Sequence, residues 1–281
     1  MSHLDVEAIA RELMSASDTG AMAAPPSAHP GFDLNTAYEV EAALKRFRES
    51  EGHRAVGRKV GYANKATWRV LKLETLVWAH MYEDTVHYAD GNSAELTLPH
   101  SRSLKIEPEI VFGLKQPIVT DGAQAPDAAA ALASTEWLAV GFEIIDCPFP
   151  EWQFQPSDFV ASFGLHAALV IGERVELRAS ERSDRIAALV NELPRFKVRV
   201  SKNGQFVDEG SGRNSLRSPA LCLAELARAI VQRFPSDPLR AGEIVSSGTL
   251  TSGHPTGRGD LWTVEVEGLS LALPPLTLEL G

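Results

Sequence analysis

Cysteine is nearly absent from this chain, which holds only Cys147 and Cys222. Their spacing matches no metal-ligand pattern and no disulfide framework, so neither a cysteine-built metal site nor a disulfide-stapled scaffold is expected. No apolar run is long enough to span a membrane. The opening Met1-Ser2-His3-Leu4-Asp5 has no basic segment leading into an apolar one, so no signal peptide is expected and a cytoplasmic location is. Positive charge is also scarce and scattered: 27 Lys and Arg against 37 Asp and Glu, a net charge of -10, argue against phosphate-backbone binding. There is no internal repeat, no low-complexity tract and no glycine-rich phosphate loop. The expected partners therefore include neither nucleic acid nor membrane.

What remains has an ordinary globular composition, 44% hydrophobic and 23% charged. At 281 residues the chain exceeds the usual single-domain size, and one large core with a smaller N-terminal portion is expected. Val6, Ile9 and Leu13 recur at helical spacing, giving a helix from Leu4 to Ser17. The Ala-, Pro- and Gly-rich segment Thr19 to Gly31 is a connector. A second helix starts near Asn35-Thr36, either of which can cap it, and runs to Phe47. The strand Ala55 to Gly61 and a helical turn from Trp68 to Leu71 complete an N-terminal portion, residues 1–75.

From Leu76 onward short β-rich runs dominate: Leu76 to Tyr82, Ala94 to Leu98, Leu104 to Leu114, Trp137 to Asp146, Leu165 to Ile171 and Phe196 to Val200. Glu243 to Ser247, Leu261 to Glu267 and Leu269 to Leu273 follow. Turn signals such as Asp90-Gly91-Asn92 and Asn203-Gly204 separate them. Helices are predicted at Pro126 to Ser134, Glu181 to Leu189 and Pro219 to Phe234. The fold class is α+β, with a β-rich unit over residues 76–281 and peripheral helices.

Chemistry concentrates in two of these strands. In Ile106-Glu107-Pro108-Glu109-Ile110, Glu107 and Glu109 share a strand face, while Ile106, Ile110 and Phe112 take the other. Glu143 lies in the equally apolar run Leu138 to Asp146. Three separate surface ion pairs would be the ordinary explanation, but apolar neighbours fit it poorly. Carboxylates buried at such positions are costly unless a cation lies between them. All-oxygen ligands favour Mg²⁺, Mn²⁺ or Ca²⁺ over Zn²⁺. Lys59 shares a strand face with Gly57 and Gly61, which would let a ligand approach its ammonium, though a solvated strand lysine is the simpler reading. Ser246-Ser247-Gly248-Thr249-Leu250, following the β-run Gly242 to Val245, suits a small anion held by backbone N–H groups, or an ordinary loop. His80, His87, His166 and His254 are candidate acid–base groups without a distinguishing sequence partner. Trp68, Trp78 and Trp152 could line a pocket or fill the core.

These segments together resemble the fumarylacetoacetate hydrolase superfamily, most closely its 2-keto-4-pentenoate hydratase and 4-oxalocrotonate decarboxylase branch. The resemblance rests on Val56-Gly57-Arg58-Lys59-Val60-Gly61, Ser101-Arg102, Ile106 to Ile110, Phe142 to Ile145, Asp158 to Ala161, Leu239 to Val245, Ser247 to Leu250 and Gly259-Asp260. It implies a mixed-sheet roll, Glu107, Glu109 and Glu143 as ligands of Mg²⁺ or Mn²⁺ (or Ca²⁺), and Lys59 facing the same pocket. It implies a 2-keto or 2-hydroxydienoic acid substrate from aromatic catabolism, a metal-stabilised enolate and a homo-oligomer. Hydration is the first expectation; decarboxylation, tautomerisation, C–C hydrolysis or a scaffold role beside a related decarboxylase or hydratase are the alternatives. The chain departs from the branch at Val77, where an Asp is usual, and around Leu165, where polar residues are. Glu74, His80 or Glu83 is then expected to stand in as acid or base.

Overall fold

The computed structural model describes residues 4–98, 100–179 and 182–281. Met1 to His3, and Glu181 at the expected start of a helix, lie outside the described residues. In chain order the elements are α1 (Val6–Thr19), α2 (Leu34–Ser50), β1 (Ala55–Gly61), α3 (Lys65–Leu71), β2 (Val77–Tyr82), β3 (Val86–Tyr88) and β4 (Ser93–Leu96). Then come β5 (Leu104–Leu114), α4 (Ala128–Ala133), β6 (Thr135–Asp146), α5 (Pro156–Ala161), β7 (His166–Ile171), β8 (Val175–Glu176) and α6 (Arg182–Glu192). The chain ends with β9 (Lys197–Lys202), β10 (Gln205–Ser211), α7 (Pro219–Arg233), β11 (Ile244–Ser246), β12 (His254–Thr256), β13 (Leu261–Glu267) and β14 (Leu276–Leu280). No helix among the described residues is long and apolar enough to cross a membrane.

Two sheets carry the fold. The larger is mixed, in the order β2-β1-β11-β5-β6-β7-β3, with β12 also on β5 and β8 on β6. The smaller runs β10-β9-β13-β14-β4. The expected division at residue 75 separates nothing in the fold, because β1 lies inside the larger sheet between β2 and β11. It pairs in parallel with a strand almost two hundred residues later, a long-range contact that local sequence cannot signal.

Register sets the chemistry. Glu107 lies directly opposite Glu143, and Glu109 opposite Gly141, across the antiparallel β5–β6 pair. Lys59 lies beside Ser246, which in turn lies beside Val111 of β5. Residues aligned across a sheet share a face, so Lys59, Ser246 and all three glutamates project into the same side of the curled sheet. Farther along that face Met81, Val111, Trp137, Ala139, Leu169, Ile171 and Ile244 pack together as a dry floor. The opposite face carries Ile106, Ile110, Phe112, Val140 and Phe142 into the main core under the helices.

Local boundaries differ from the expectations in instructive ways. Helix α2 is capped by Asp33, whose Oδ1 accepts from Thr36 N at 2.9 Å, so it starts ahead of Asn35. The run Leu269 to Leu273 is not a strand. The strand forms beyond Pro274 and Pro275, where β14 pairs with β13 on one side and β4 on the other. Helix α5 opens on Pro156 and is fastened by buried Asp158, which accepts from Gln155 N (2.8 Å), Ser27 N (2.6 Å) and Ser27 Oγ (2.6 Å).

Candidate metal centre

One oxygen from each of Glu107, Glu109 and Glu143 falls within 4.8 Å of the others. Glu109 and Glu143 are fully buried, and Glu107 is half-buried at the wall of a cavity of about 360 Å³. Glu109 Oε2 accepts from Ser246 Oγ at 2.5 Å and from Gly248 N at 2.7 Å, while its Oε1 has no partner. Glu143 Oε1 meets His166 Nδ1 at 2.8 Å, and its Oε2 faces only the Lys59 ammonium, at 3.1 Å. A side chain at Gly253 would come within 2.8 Å of Glu107 Oε1, so glycine there keeps space open around that oxygen.

Burial pushes the Glu107 carboxyl up to about 7, with Glu143 adding to the shift and Lys59 opposing it. Burial raises Glu109 well above the usual range too, reinforced by repulsion from Glu143 and Glu107. For Glu143, burial acts upward but is overcome by the Lys59 ammonium and by His166, and its carboxyl is held low. Like charges directly opposite in a sheet are destabilising. Oxygen-only donors, unpartnered buried carboxylate oxygens and mutual repulsion are together what a hard divalent cation would relieve, so the residues fit such an ion.

Lys59, 2% exposed, is the second cation of the face. Its Nζ donates to Gly164 O at 2.8 Å and lies 4.7 Å from the Phe159 ring centre. That carbonyl is aimed by a turn in which Phe163, Gly164 and Leu165 all take positive φ (52°, 62° and 57°). A side chain at Gly164 would come within 2.7 Å of Lys59 Cδ.

The remaining expected residues divide. Gly248 and Thr249 line the cavity, but Ser247 does not. The Gly248 amide is committed to Glu109, so it holds a carboxylate of the cluster rather than an external anion. Thr249 Oγ1 donates to Thr251 O at 3.0 Å. His80 does not reach this centre. It aligns with Arg58, not Lys59, and so projects from the opposite sheet face. There its Nδ1 is bonded to buried Glu41, and its Nε2 lies 3.5 Å from Asp237. Glu74 and Glu83 are exposed. His254 is paired with Asp208 and stacked on Trp262. Trp78 is core and Trp68 donates to Tyr62 O, whereas Trp152 lines the cavity with Lys105 Nζ 3.8 Å over its ring. His166, one of the four candidate histidines, and Ser246, at the head of the candidate C-terminal run, touch the carboxylates, a contact the sequence did not foresee. Only their strand register reveals it.

No family model matches the sequence. The 2-hydroxyhexa-2,4-dienoate hydratase of Comamonas testosteroni is 30% identical over 241 residues, which cover 86% of this chain and 85% of that protein. This chain belongs to the 2-keto-4-pentenoate hydratase and 4-oxalocrotonate decarboxylase branch of the fumarylacetoacetate hydrolase superfamily. It is an enzyme of that branch's lyase type. The 4-oxalocrotonate decarboxylase of Pseudomonas sp. (strain CF600) is 28% identical over 86% of this chain and 84% of its own length. The solved structure of 4-oxalocrotonate decarboxylase from Pseudomonas putida G7 shares the fold, with a TM-score of 0.84 over 98% of this chain and 97% of that one, at 23% identity. The departures from the branch fall beside Lys59: Val77 is aligned with Gly61 on the Lys59 face, and Leu165 lines the cavity. Both are buried and apolar.

Proposed function

We propose that this protein is a divalent-cation-dependent, hydratase-like lyase acting in the cytoplasm on a 2-keto or 2-hydroxydienoic acid of aromatic-compound breakdown. The observation that carries the reading is the Glu107–Glu109–Glu143 cluster, two of its carboxylates fully buried with unpartnered oxygens and the third, Glu107, in the wall of a cavity that Lys59 also lines. Mg²⁺ suits these oxygens, with Mn²⁺ or Ca²⁺ as substitutes, and the related decarboxylase structure is complexed with magnesium and adipate. When bound, the cation supplies Lewis acidity toward the keto and carboxylate oxygens of a 2-oxo acid. Glu107, Glu109 and Glu143 hold it, and Ser246 Oγ and Gly248 N fix Glu109. Lys59 donates one N–H to Gly164 O and pairs its charge with Glu143, which leaves N–H capacity to stabilise a substrate carboxylate or an enolate oxygen. Val60, Ile145, Phe154, Phe159 and Leu165 give the same cavity an apolar wall. Thr249 contributes to the wall that orients the substrate.

One observation favours decarboxylation as a second reading. Among the described residues the titratable groups of the cavity wall are Lys59, Tyr62, Lys105 and Glu107. Burial raises the Tyr62 phenol, so it stays protonated at neutral pH. Among the described residues no aspartate or histidine lines this cavity to activate water, and loss of CO₂ needs none. The test is turnover of 2-hydroxypenta-2,4-dienoate and 4-oxalocrotonate with Mg²⁺ or with a chelator. Loss of ultraviolet absorbance without CO₂ supports hydration, and CO₂ release supports decarboxylation. Absence of turnover on any enolisable 2-keto acid would leave only a scaffold role beside a related decarboxylase or hydratase. A homo-oligomer is also proposed, because Phe206 and Leu261 stay 52% and 39% exposed on β10 and β13. A monomeric mass by light scattering would contradict it.

A further inference from the structure

His166 touches the carboxylate cluster, yet nothing in the proposed chemistry uses it. It opens β7 directly after the left-handed turn through Leu165, and its side chain is 2% exposed. Both ring nitrogens are engaged: Nδ1 lies 2.8 Å from Glu143 Oε1, and Nε2 lies 3.0 Å from Thr85 Oγ1. Facing a carboxylate, Nδ1 is the donor, while Nε2 is held against the Thr85 hydroxyl oxygen. Thr85 is itself fixed in the turn between β2 and β3. Its backbone N–H donates to Tyr82 O at 3.0 Å, and its Oγ1 accepts from Tyr82 N at 3.3 Å and donates to Tyr82 O at 3.0 Å. An unbroken line of contacts thus runs from the β2–β3 turn through Thr85 and His166 to one oxygen of Glu143. It leaves the other oxygen, Oε2, turned toward Lys59 and available to the cluster. Without that tether the Glu143 side chain would be free to rotate away from Glu107, which lies opposite it and repels it.

We propose that His166, anchored by Thr85, is a positioning residue that sets the cation affinity of the cluster by holding Glu143 in its ligating orientation. This inference rests on the cation-binding reading of the three glutamates. Hydrogen-bond partners of metal ligands typically contribute about 10–100-fold to affinity. A second cavity, of about 340 Å³, is lined by Thr85 and His166 together with Tyr82, Phe163 and Arg102. It gives small molecules a route to the ring separate from the first cavity.

The test is Mg²⁺ affinity measured calorimetrically on the full chain, with Glu109→Ala as the reference for a lost site. His166→Ala is expected to weaken binding about 10–100-fold, with added imidazole restoring part of the loss through the second cavity. His166→Asn, whose amide N–H can take the place of Nδ1, should stay close to wild type. Thr85→Val should weaken binding, and Thr85→Ser should not. A ring that merely filled space would change thermal stability without changing affinity or responding to imidazole. Wild-type affinity in His166→Ala, with Glu109→Ala unable to bind, overturns the positioning role and leaves the cation site standing. A wild-type chain that binds no Mg²⁺ overturns both. Should His166→Ala fail to fold, equal affinity in Thr85→Val and Thr85→Ser overturns the proposal.

Discussion

At the scale of single residues, Lys59 and Gly164 depend on each other. Lys59 and Glu143 form a buried ion pair, 2% and 0% exposed. Removing one partner of such a pair leaves an uncompensated charge, so Lys59→Met should cost about 3–5 kcal/mol in metal-free protein, read from denaturant midpoints. Gly164→Ala acts differently. Its positive φ disfavours any side chain, and the new Cβ would displace Lys59 Cδ rather than the carboxylates. Turnover should fall by at least about tenfold while Mg²⁺ affinity stays near wild type, because under the proposed function a displaced Lys59 costs rate first. Equal loss of both would show that the turn serves the whole centre. The glutamates were legible in the sequence because charge is anomalous inside an apolar strand. His80 was misjudged for a related reason: its own strand is as apolar as theirs, and only the pairing with β1 shows that it faces Arg58's side of the sheet.

Among elements, the strands that carry the site were legible from hydrophobic runs and turn residues, and the Asn203-Gly204 turn does join β9 to β10. The adjacency of β1 to β11, of β11 to β5, and of β12 to β5 was not, since parallel and long-range pairing leaves no local trace. Helix α5 escaped notice because it is short and depends on Asp158 rather than on an apolar period. That acid is fully buried and satisfies three donors, two of them on Ser27 of the N-terminal connector. Asp158→Ala strands those donors, and a loss of about 2–3 kcal/mol in unfolding free energy is expected. An unchanged denaturation midpoint would mean that α5 and the connector are held by packing alone.

For the molecule as a whole, a polar network on the far face of the larger sheet ties α2 to the segment before β11. Lys45, Arg58 and His80 converge on Asp237, and Glu41 closes on His80. His80 beside it, with Lys45 and Arg58, holds the Asp237 carboxyl far below its usual range. Burial acts upward on Glu41, but His80 overcomes it and the net shift is downward. Carboxyls more acidic in the folded state than in the unfolded chain stabilise the fold at neutral pH. That contribution fades as pH falls below about 4, where the unfolded chain takes up protons first. The denaturant midpoint should therefore drop as pH falls below about 4, and Asp237→Asn should flatten that drop. A mutant with the same pH slope as wild type would place the acid sensitivity elsewhere.

The account turns on three carboxylates that repel one another until a cation joins them. Thermal unfolding of wild type and Glu109→Gln, each with and without Mg²⁺, reads that directly. Saturating Mg²⁺ should stabilise the wild type by about 2.7 kcal/mol at a hundredfold excess over Kd. Glu109→Gln, relieved of a buried charge, should be at least as stable as wild type without metal and should not respond to Mg²⁺. A wild type indifferent to both Mg²⁺ and Mn²⁺, with Glu109→Gln less stable than wild type, would contradict the cation site at the centre of this account.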